Sequence, residues 1–148
     1  MSTPGHPHFA WEGGELRVEQ LRVSELAKQH GTPLFIYSKA SMLAALAAYR
    51  RGFAGRKSKI CYAMKANSSL GILQVFAQAG CGFDIVSGGE LERVLAAGAQ
   101  PADIIFSGVG KTRREMRRAL ELGIHCFNVE SEPALEVLSA VEELAFSA

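Results

Sequence analysis

Cys61-Tyr62-Ala63-Met64-Lys65-Ala66-Asn67 is the stretch that decides the fold of this 148-residue chain. It is a short apolar run, opened by Ile60, that ends in a lysine just before Ser68 and Ser69. An apolar run of this length predicts a buried strand, so we expect Lys65 where a parallel strand gives way to its loop. Enzymes of the α/β class place their reactive groups at this edge of the sheet.

Lys65 is therefore the candidate catalytic residue. A lysine amine that is held by rigid backbone and partly desolvated is a nucleophile toward an aldehyde cofactor such as pyridoxal phosphate. The alternative is a solvated lysine at the end of a strand, because most lysines lie in water. Position alone leaves both interpretations open.

From Ile60 onward the sequence repeats a unit of roughly 22 residues, made of an apolar strand, a break of small or hydroxyl residues, an amphipathic helix and a glycine. The strands are predicted to begin near Ile60, Phe83, Ile104 and Cys126. Four successive βα units imply parallel strands with right-handed crossovers, as in an open doubly wound sheet or in part of a (β/α)8 barrel. The regular unit length favours the partial barrel.

Helix starts and the upstream elements follow from local patterns. Ser87 lies three residues before Glu90, and Thr112 lies three before Glu115, so each pair predicts a capping box. Upstream of the repeat, residues 24–31 and 40–51 are predicted to form helices and residues 33–37 a strand.

Composition excludes several classes of protein. The formal net charge is +1 and no basic face is sustained, so the chain is expected to bind neither nucleic acid nor a membrane surface. No run reaches the roughly 18 apolar residues of a membrane span, and a cytoplasmic location is expected. The three cysteines lack metal-ligand spacing and are expected to be reduced core residues. The histidines show no such spacing either, and we expect no metal.

Two further features suggest chemistry. Asp84 lies inside an apolar strand, where a buried carboxylate is costly unless paired, and Lys65 on the adjacent strand is its predicted partner. An exposed strand residue is the alternative. Residues 108–112, GVGKT, follow a strand and open a helix, as an anion-binding loop would. A nucleotide P-loop would need a glycine where Ile105 stands, so that interpretation is not favoured.

Four motifs in register give the chain a family resemblance. Taken in order, they resemble the N-terminal half of the diaminopimelate decarboxylases, pyridoxal-phosphate enzymes of the alanine-racemase-like barrel group. The resemblance runs from about residue 30 to about residue 141. The motifs are YAMKAN at 62–67, GFDIVSGGEL at 82–91, FSGVGKT at 106–112 and FNVES at 127–131.

The resemblance implies a site and a reaction. Lys65 would bind pyridoxal 5'-phosphate covalently, and Asp84 would be a cofactor-binding residue close to that linkage. The reaction would be decarboxylation of meso-2,6-diaminopimelate to L-lysine, in lysine biosynthesis, with the cofactor ring as electron sink. The full-length enzyme would be a homodimer. Residues 1–33 would form an N-terminal segment, in the family partly associated with the C-terminal β-domain, and residues 34–148 an incomplete barrel domain.

The sequence also departs from that family. A closed barrel needs about 250 residues, and only half of its strands are visible. We therefore expect a truncated product, a split gene or a frameshifted reading, inactive on its own. The alternatives are a non-catalytic binding fragment, a related ornithine or arginine decarboxylase, and a cofactor-homeostasis protein of the same half-fold. Residues 87–91 fit the ornithine enzymes less well and are not the pattern of the homeostasis proteins.

Overall fold

The computed structural model describes residues 2–3 and 6–146, with side chains from residue 8 to residue 145. These residues divide into two compact units, residues 1–54 and residues 55–148. The predicted boundary between residues 33 and 34 stays a prediction. No helix among the described residues is long and apolar enough to cross a membrane.

The first unit holds an antiparallel sheet and two helices. Its strands are consecutive in both sequence and space. They are β1 (Ser2–Thr3), β2 (His6–Glu12), β3 (Glu15–Val18) and β4 (Leu21–Arg22). The helices are α1 (Val23–His30) and α2 (Lys39–Gly52), which confirm the two predicted helices with each bound shifted by one residue.

The strand predicted at residues 33–37 is wrong. The run between α1 and α2 has no regular secondary structure and pairs with no described strand. Its apolar side chains do not form a buried row, because Phe35 is 83% exposed and Tyr37 54%. Pro33 also lacks the N–H that a ladder would need.

Glu19 ties the end of β3 to the start of α2. Its Oε1 accepts hydrogen bonds from the Ala40 N–H at 2.9 Å and from the Ser38 hydroxyl at 2.7 Å. These two bonds hold the pKa of Glu19 below its ordinary value. Ser38 in turn caps α2, since its Oγ accepts from the Ser41 N–H at 3.0 Å. The polar start of this helix is therefore satisfied by side chains.

The second unit is a parallel α/β assembly. Its four strands are adjacent in the order of the sequence, which confirms the predicted βα repeat and the fold class, a partial barrel. The strands are β5 (Cys61–Ala63), β6 (Gly82–Ile85), β7 (Ile104–Phe106) and β8 (Cys126–Phe127). The intervening and following helices are α3 (Leu70–Gln78), α4 (Gly88–Ala96), α5 (Arg113–Leu122) and α6 (Glu132–Phe146).

The two faces of this sheet differ. On the first face Phe83, Ile85, Ile104 and Phe106 are all 0% exposed. This face packs against the helices, as the ring of Tyr62 stacks on Phe76 of α3 with 4.4 Å between centroids. On the second face the register aligns one residue from each strand, and all four are half-buried. They are Ala63, Asp84, Ile105 and Cys126. The second face therefore holds the one carboxylate of these strands.

Gly82, the first residue of β6, lies close to the residues on both sides of that strand. A Cβ at this position would lie 2.6 Å from the Asp103 carbonyl oxygen and 2.7 Å from Cys61 Sγ. Distances this short are not tolerated by real side chains, so glycine is required here by packing.

The two predicted capping boxes have different outcomes. Thr112 and Glu115 form the complete box at the start of α5. At α4 the Ser87 hydroxyl accepts from the Glu90 N–H, but the Glu90 carboxylate accepts from the Val86 N–H at 2.7 Å. The second prediction is thus half right, because the glutamate reaches one residue further upstream than a capping box requires.

Candidate active site

Lys65 lies on a short, well-fixed turn. The 3-10 turn Met64–Ala66 follows β5 directly, and its first side chain, Met64, is 1% exposed. The Tyr62 hydroxyl donates to the Asn67 carbonyl oxygen at 3.2 Å and so spans the turn. Asn67 Oδ1 accepts from the Ser69 N–H at 2.9 Å, just before α3 begins. The backbone that carries Lys65 is therefore held on both sides.

The side chain of Lys65 is exposed. Its amine has no hydrogen bond or ion pair with any residue that the structure describes. The predicted pairing with Asp84 is accordingly absent. The hydroxyl of Ser107, which directly follows β7, satisfies that carboxylate instead, so the lysine is not needed to compensate it.

Asp84 is half-buried and belongs to a chain of three polar side chains. The Ser107 hydroxyl donates to Asp84 Oδ1 at 2.5 Å, and the Asn128 amide donates to the Ser107 oxygen at 2.9 Å. The three residues come from β6 and from the loops that follow β7 and β8. They lie at the carboxyl edge of the sheet, whereas the sequence predicted only that Asp84 lies inside its strand. We call them the edge triad.

Sequence reasoning missed Ser107 and Asn128. Ser107 follows by two residues the register partner of Asp84, Ile105, and Asn128 follows Cys126 in the same way. Side chains two residues apart on a strand share a face. Polar residues directly after two apolar strands were the available signal.

Lys111 is not free to bind an anion. Its side chain is 2% exposed, and Nζ lies 3.3 Å from Glu130 Oε2. The ammonium also donates to the Asn128 carbonyl oxygen at 2.8 Å and to the Gly108 carbonyl oxygen. The Gly108 N–H donates to the other Glu130 oxygen at 2.9 Å. Protein oxygens therefore surround the lysine, and the nucleotide P-loop that the sequence did not favour gains no support from it.

Glu115 occupies the helix starts at the same edge. One oxygen accepts from the Gly88 N–H at 2.7 Å, and the other accepts from the Thr112 N–H at 2.9 Å and its hydroxyl at 2.7 Å. These bonds, the Gly88 one first, hold the pKa of Glu115 below its ordinary value. Helix N-termini attract anions, and here a carboxylate of the chain already fills that place at α4 and α5.

Cys61 is the first residue of β5 and lies at the opposite end of the strand from Lys65. Burial raises the pKa of its thiol to about 11, so the unreactive protonated form prevails at neutral pH. All three cysteines are free thiols, with Cys81 buried and Cys61 and Cys126 half-buried. The expectation of core residues is met by Cys81, whereas Cys61 and Cys126 are less buried than expected.

Lys65 and Asp84 together fit the reactive end of an aldehyde cofactor. A free amine on a fixed turn suits attack on the aldehyde carbon, and a carboxylate with one unengaged oxygen suits the positive nitrogen that results. The phosphate end finds no such match among the described residues at this edge, since the amides of Val86, Gly88 and Gly108 donate to glutamates. The same residues include no cluster placed to bind a metal ion.

Known proteins resemble this chain over most of its length. The family model described as "Pyridoxal-dependent decarboxylase, pyridoxal binding domain" matches residues 39–145. Diaminopimelate decarboxylase of Pseudomonas aeruginosa is 55% identical over 133 residues, which is 90% of this chain and 32% of that protein. The enzyme of Vibrio cholerae is 55% identical over 130 residues, 88% of this chain and 31% of the relative. The chain thus spans about a third of the length of these relatives.

Solved structures show the same relation. The diaminopimelate decarboxylase of M. jannaschii in complex with L-lysine matches with a TM-score of 0.87 and 31% identity, over 92% of this chain and 33% of that one. The Helicobacter pylori enzyme, also complexed with L-lysine, matches with a TM-score of 0.77 and 45% identity, over 80% of this chain and 30% of that one.

Proposed function

The chain belongs to the family of pyridoxal-dependent decarboxylases, as a pyridoxal binding domain, and from this premise we propose that it is the cofactor-binding part of a diaminopimelate decarboxylase. The proposed reaction of the whole protein is the decarboxylation of meso-2,6-diaminopimelate to L-lysine. Two relatives of known structure hold L-lysine, which supports an amino acid as the class of molecule bound. This chain corresponds to about a third of such an enzyme.

The observation that carries the proposal is the free amine of Lys65 on its fixed turn. The lysine follows a parallel strand directly, its backbone is held by Met64 and Tyr62, and its side chain is exposed. Because its backbone is already fixed, only the side chain of this nucleophile must be ordered when it meets a bound aldehyde. We assign Lys65 the catalytic role and Asp84 a role in binding the cofactor.

When bound, pyridoxal phosphate supplies a ring that accepts the electron pair left by departing carbon dioxide. The protein's part is to bind and orient. Lys65 would hold the cofactor by its aldehyde carbon, and Asp84 would offer its oxygen Oδ2 to the neighbouring positive nitrogen. The loops after β6 and β7 are assigned no phosphate contact, because glutamates already bond the amides of Gly88 and Gly108.

The proposal extends to the whole protein. The family resemblance supports a homodimer in the cytoplasm, with residues 1–33 as an N-terminal segment and residues 34–148 as part of the barrel domain. Gel filtration and cell fractionation of the longest product of this gene would test the first two statements.

Trapping of the cofactor tests the central claim. The purified chain is mixed with pyridoxal phosphate and reduced with borohydride, and the modified peptides are identified by mass spectrometry. We expect most of the label at Lys65 and none there in a Lys65→Arg variant. Lys59, which pairs with Asp103 at 2.7 Å on the surface, is the internal control. Equal labelling of Lys59 and Lys65 would reject the proposal for this chain.

A further inference from the structure

We propose that Ser107 is a positioning residue for Asp84, and that Asn128 holds Ser107 in that role. This inference rests on the proposed function and deepens it. It concerns how the carboxylate beside the cofactor lysine is oriented.

The hydrogen bonds of the edge triad run in one direction. The Asn128 amide can only donate to the Ser107 oxygen, and it does so at 2.9 Å. A serine hydroxyl has a single proton, and Asp84 as a carboxylate can only accept. The Ser107 proton therefore points to Asp84 Oδ1, at 2.5 Å. Asn128 thus determines the orientation of the hydroxyl that bonds Asp84.

The backbone fixes both donors. The Ser107 N–H donates to the Ile85 carbonyl oxygen at 2.8 Å, and the Asn128 N–H donates to the Phe106 carbonyl oxygen at 2.9 Å. These bonds continue the parallel ladder beyond the ends of β7 and β8. The backbones of Ser107 and Asn128 are therefore held in the same way as those of strand residues.

The register places Asp84 on the strand between Lys65 and Ser107. On one side its partner Ala63 lies two residues before Lys65, and on the other its partner Ile105 lies two residues before Ser107. Ser107 reaches Asp84 directly, and the turn that carries Lys65 packs against β6, the strand of Asp84. With Oδ1 engaged by Ser107, Oδ2 has no partner among the described residues. Ser107 thus leaves one carboxylate oxygen for the nitrogen of Lys65 when it carries the cofactor.

A charge-assisted hydrogen bond depends strongly on geometry, so a loose carboxylate should bind the cofactor nitrogen less well. In the trapping assay, we expect Ser107→Ala to raise the pyridoxal phosphate concentration for half-labelling of Lys65 about tenfold. Ser107→Thr retains the hydroxyl and should restore labelling to near that of the unsubstituted chain. Ser58→Ala, which removes an exposed hydroxyl without a described contact, is the matched control and should change nothing.

A double-mutant cycle separates positioning from general damage. If Ser107 acts through Asp84, Ser107→Ala should have little further effect in a chain that already carries Asp84→Asn. Full labelling of the Ser107→Ala chain, or an equal loss with and without Asp84→Asn, would overturn the inference and leave the proposed function standing. Failure of the unsubstituted chain to label Lys65 above Lys59 would instead reject the proposed function, and the inference with it.

Discussion

Nζ of Lys111 lies 3.3 Å from Oε2 of Glu130, and the lysine side chain is 2% exposed whereas the glutamate is 36% exposed. Carbonyl oxygens of Gly108 and Asn128 complete the surroundings of the ammonium, and the Phe106 ring lies 5.9 Å away. This arrangement joins the loop after β7 to the loop after β8. A buried charge is tolerated only with partners of this kind, so the pair has structural rather than ligand-binding importance.

Replacement of Lys111 by methionine should destabilise the chain by about 3 kcal/mol, because Glu130 and two carbonyl oxygens lose their buried partner. Lys59→Met is the matched control, as that lysine pairs with Asp103 at 2.7 Å but is 34% exposed. We expect a loss of about 1 kcal/mol or less there. Urea unfolding of both variants measures the difference, and equal losses would contradict the importance assigned to burial.

Glu115→Gln should change the dependence of stability on pH. The folded protein holds the pKa of Glu115 below its ordinary value of 4.5, so the ionised form stabilises the fold above that pH. This contribution disappears as the pH falls through 4.5 toward the lower folded value. The variant does not titrate in this window and presents an N–H₂ where an acceptor is needed. We expect it to be less stable by about 2 kcal/mol at neutral pH.

The difference between the two unfolding free energies should therefore shrink below pH 4.5. Glu19, whose pKa is also lowered, is present in both chains and cancels. Glu121→Gln, on the exposed surface of the same helix, is the control. If the difference in unfolding free energy stays constant across the acidic range, the bonds from Gly88 and Thr112 do not depend on the charge of Glu115.

Tyr62→Phe should loosen the turn of Lys65 without unfolding the chain. The ring keeps its stack on Phe76 and its edge contact with Phe83, at 4.4 and 6.4 Å between centroids, but loses the hydroxyl that bonds the Asn67 carbonyl oxygen. We expect a loss of about 1 kcal/mol. Amide hydrogen exchange of residues 65–69 should quicken, while that of β6 stays slow.

Tyr49→Phe is the control for this change, because that side chain is 63% exposed. Unchanged exchange in the Tyr62→Phe chain would show that the bond from the Tyr62 hydroxyl does not hold the turn.

Local pattern predicted the second unit well. The apolar runs that open β5, β6, β7 and β8 are bounded by glycines and helix caps, so their type and order could be predicted before any contact was known. The position of Lys65 at a strand end followed from the same reasoning. The strand expected at residues 33–37 failed because an apolar run forms a strand only where a partner is available.

The edge triad could not be read from one segment. Asp84, Ser107 and Asn128 are brought together by register, and a shift of one residue in either pair would turn a side chain to the other face. The ion pair of Lys111 could not be predicted for a related reason. Its partner, Glu130, comes from the loop after the next strand, β8.

The glutamates at the carboxyl edge also set an order of assembly. The Gly88 N–H is bonded by Glu115, 27 residues later, and the Gly108 N–H by Glu130, 22 residues later. A chain made from its N-terminus cannot complete either loop until the following βα unit has emerged from the ribosome. Each newly synthesised βα unit therefore supplies the carboxylate that completes the loop of the unit before it. The carboxyl edge of the sheet forms one βα unit later than the chain is synthesised.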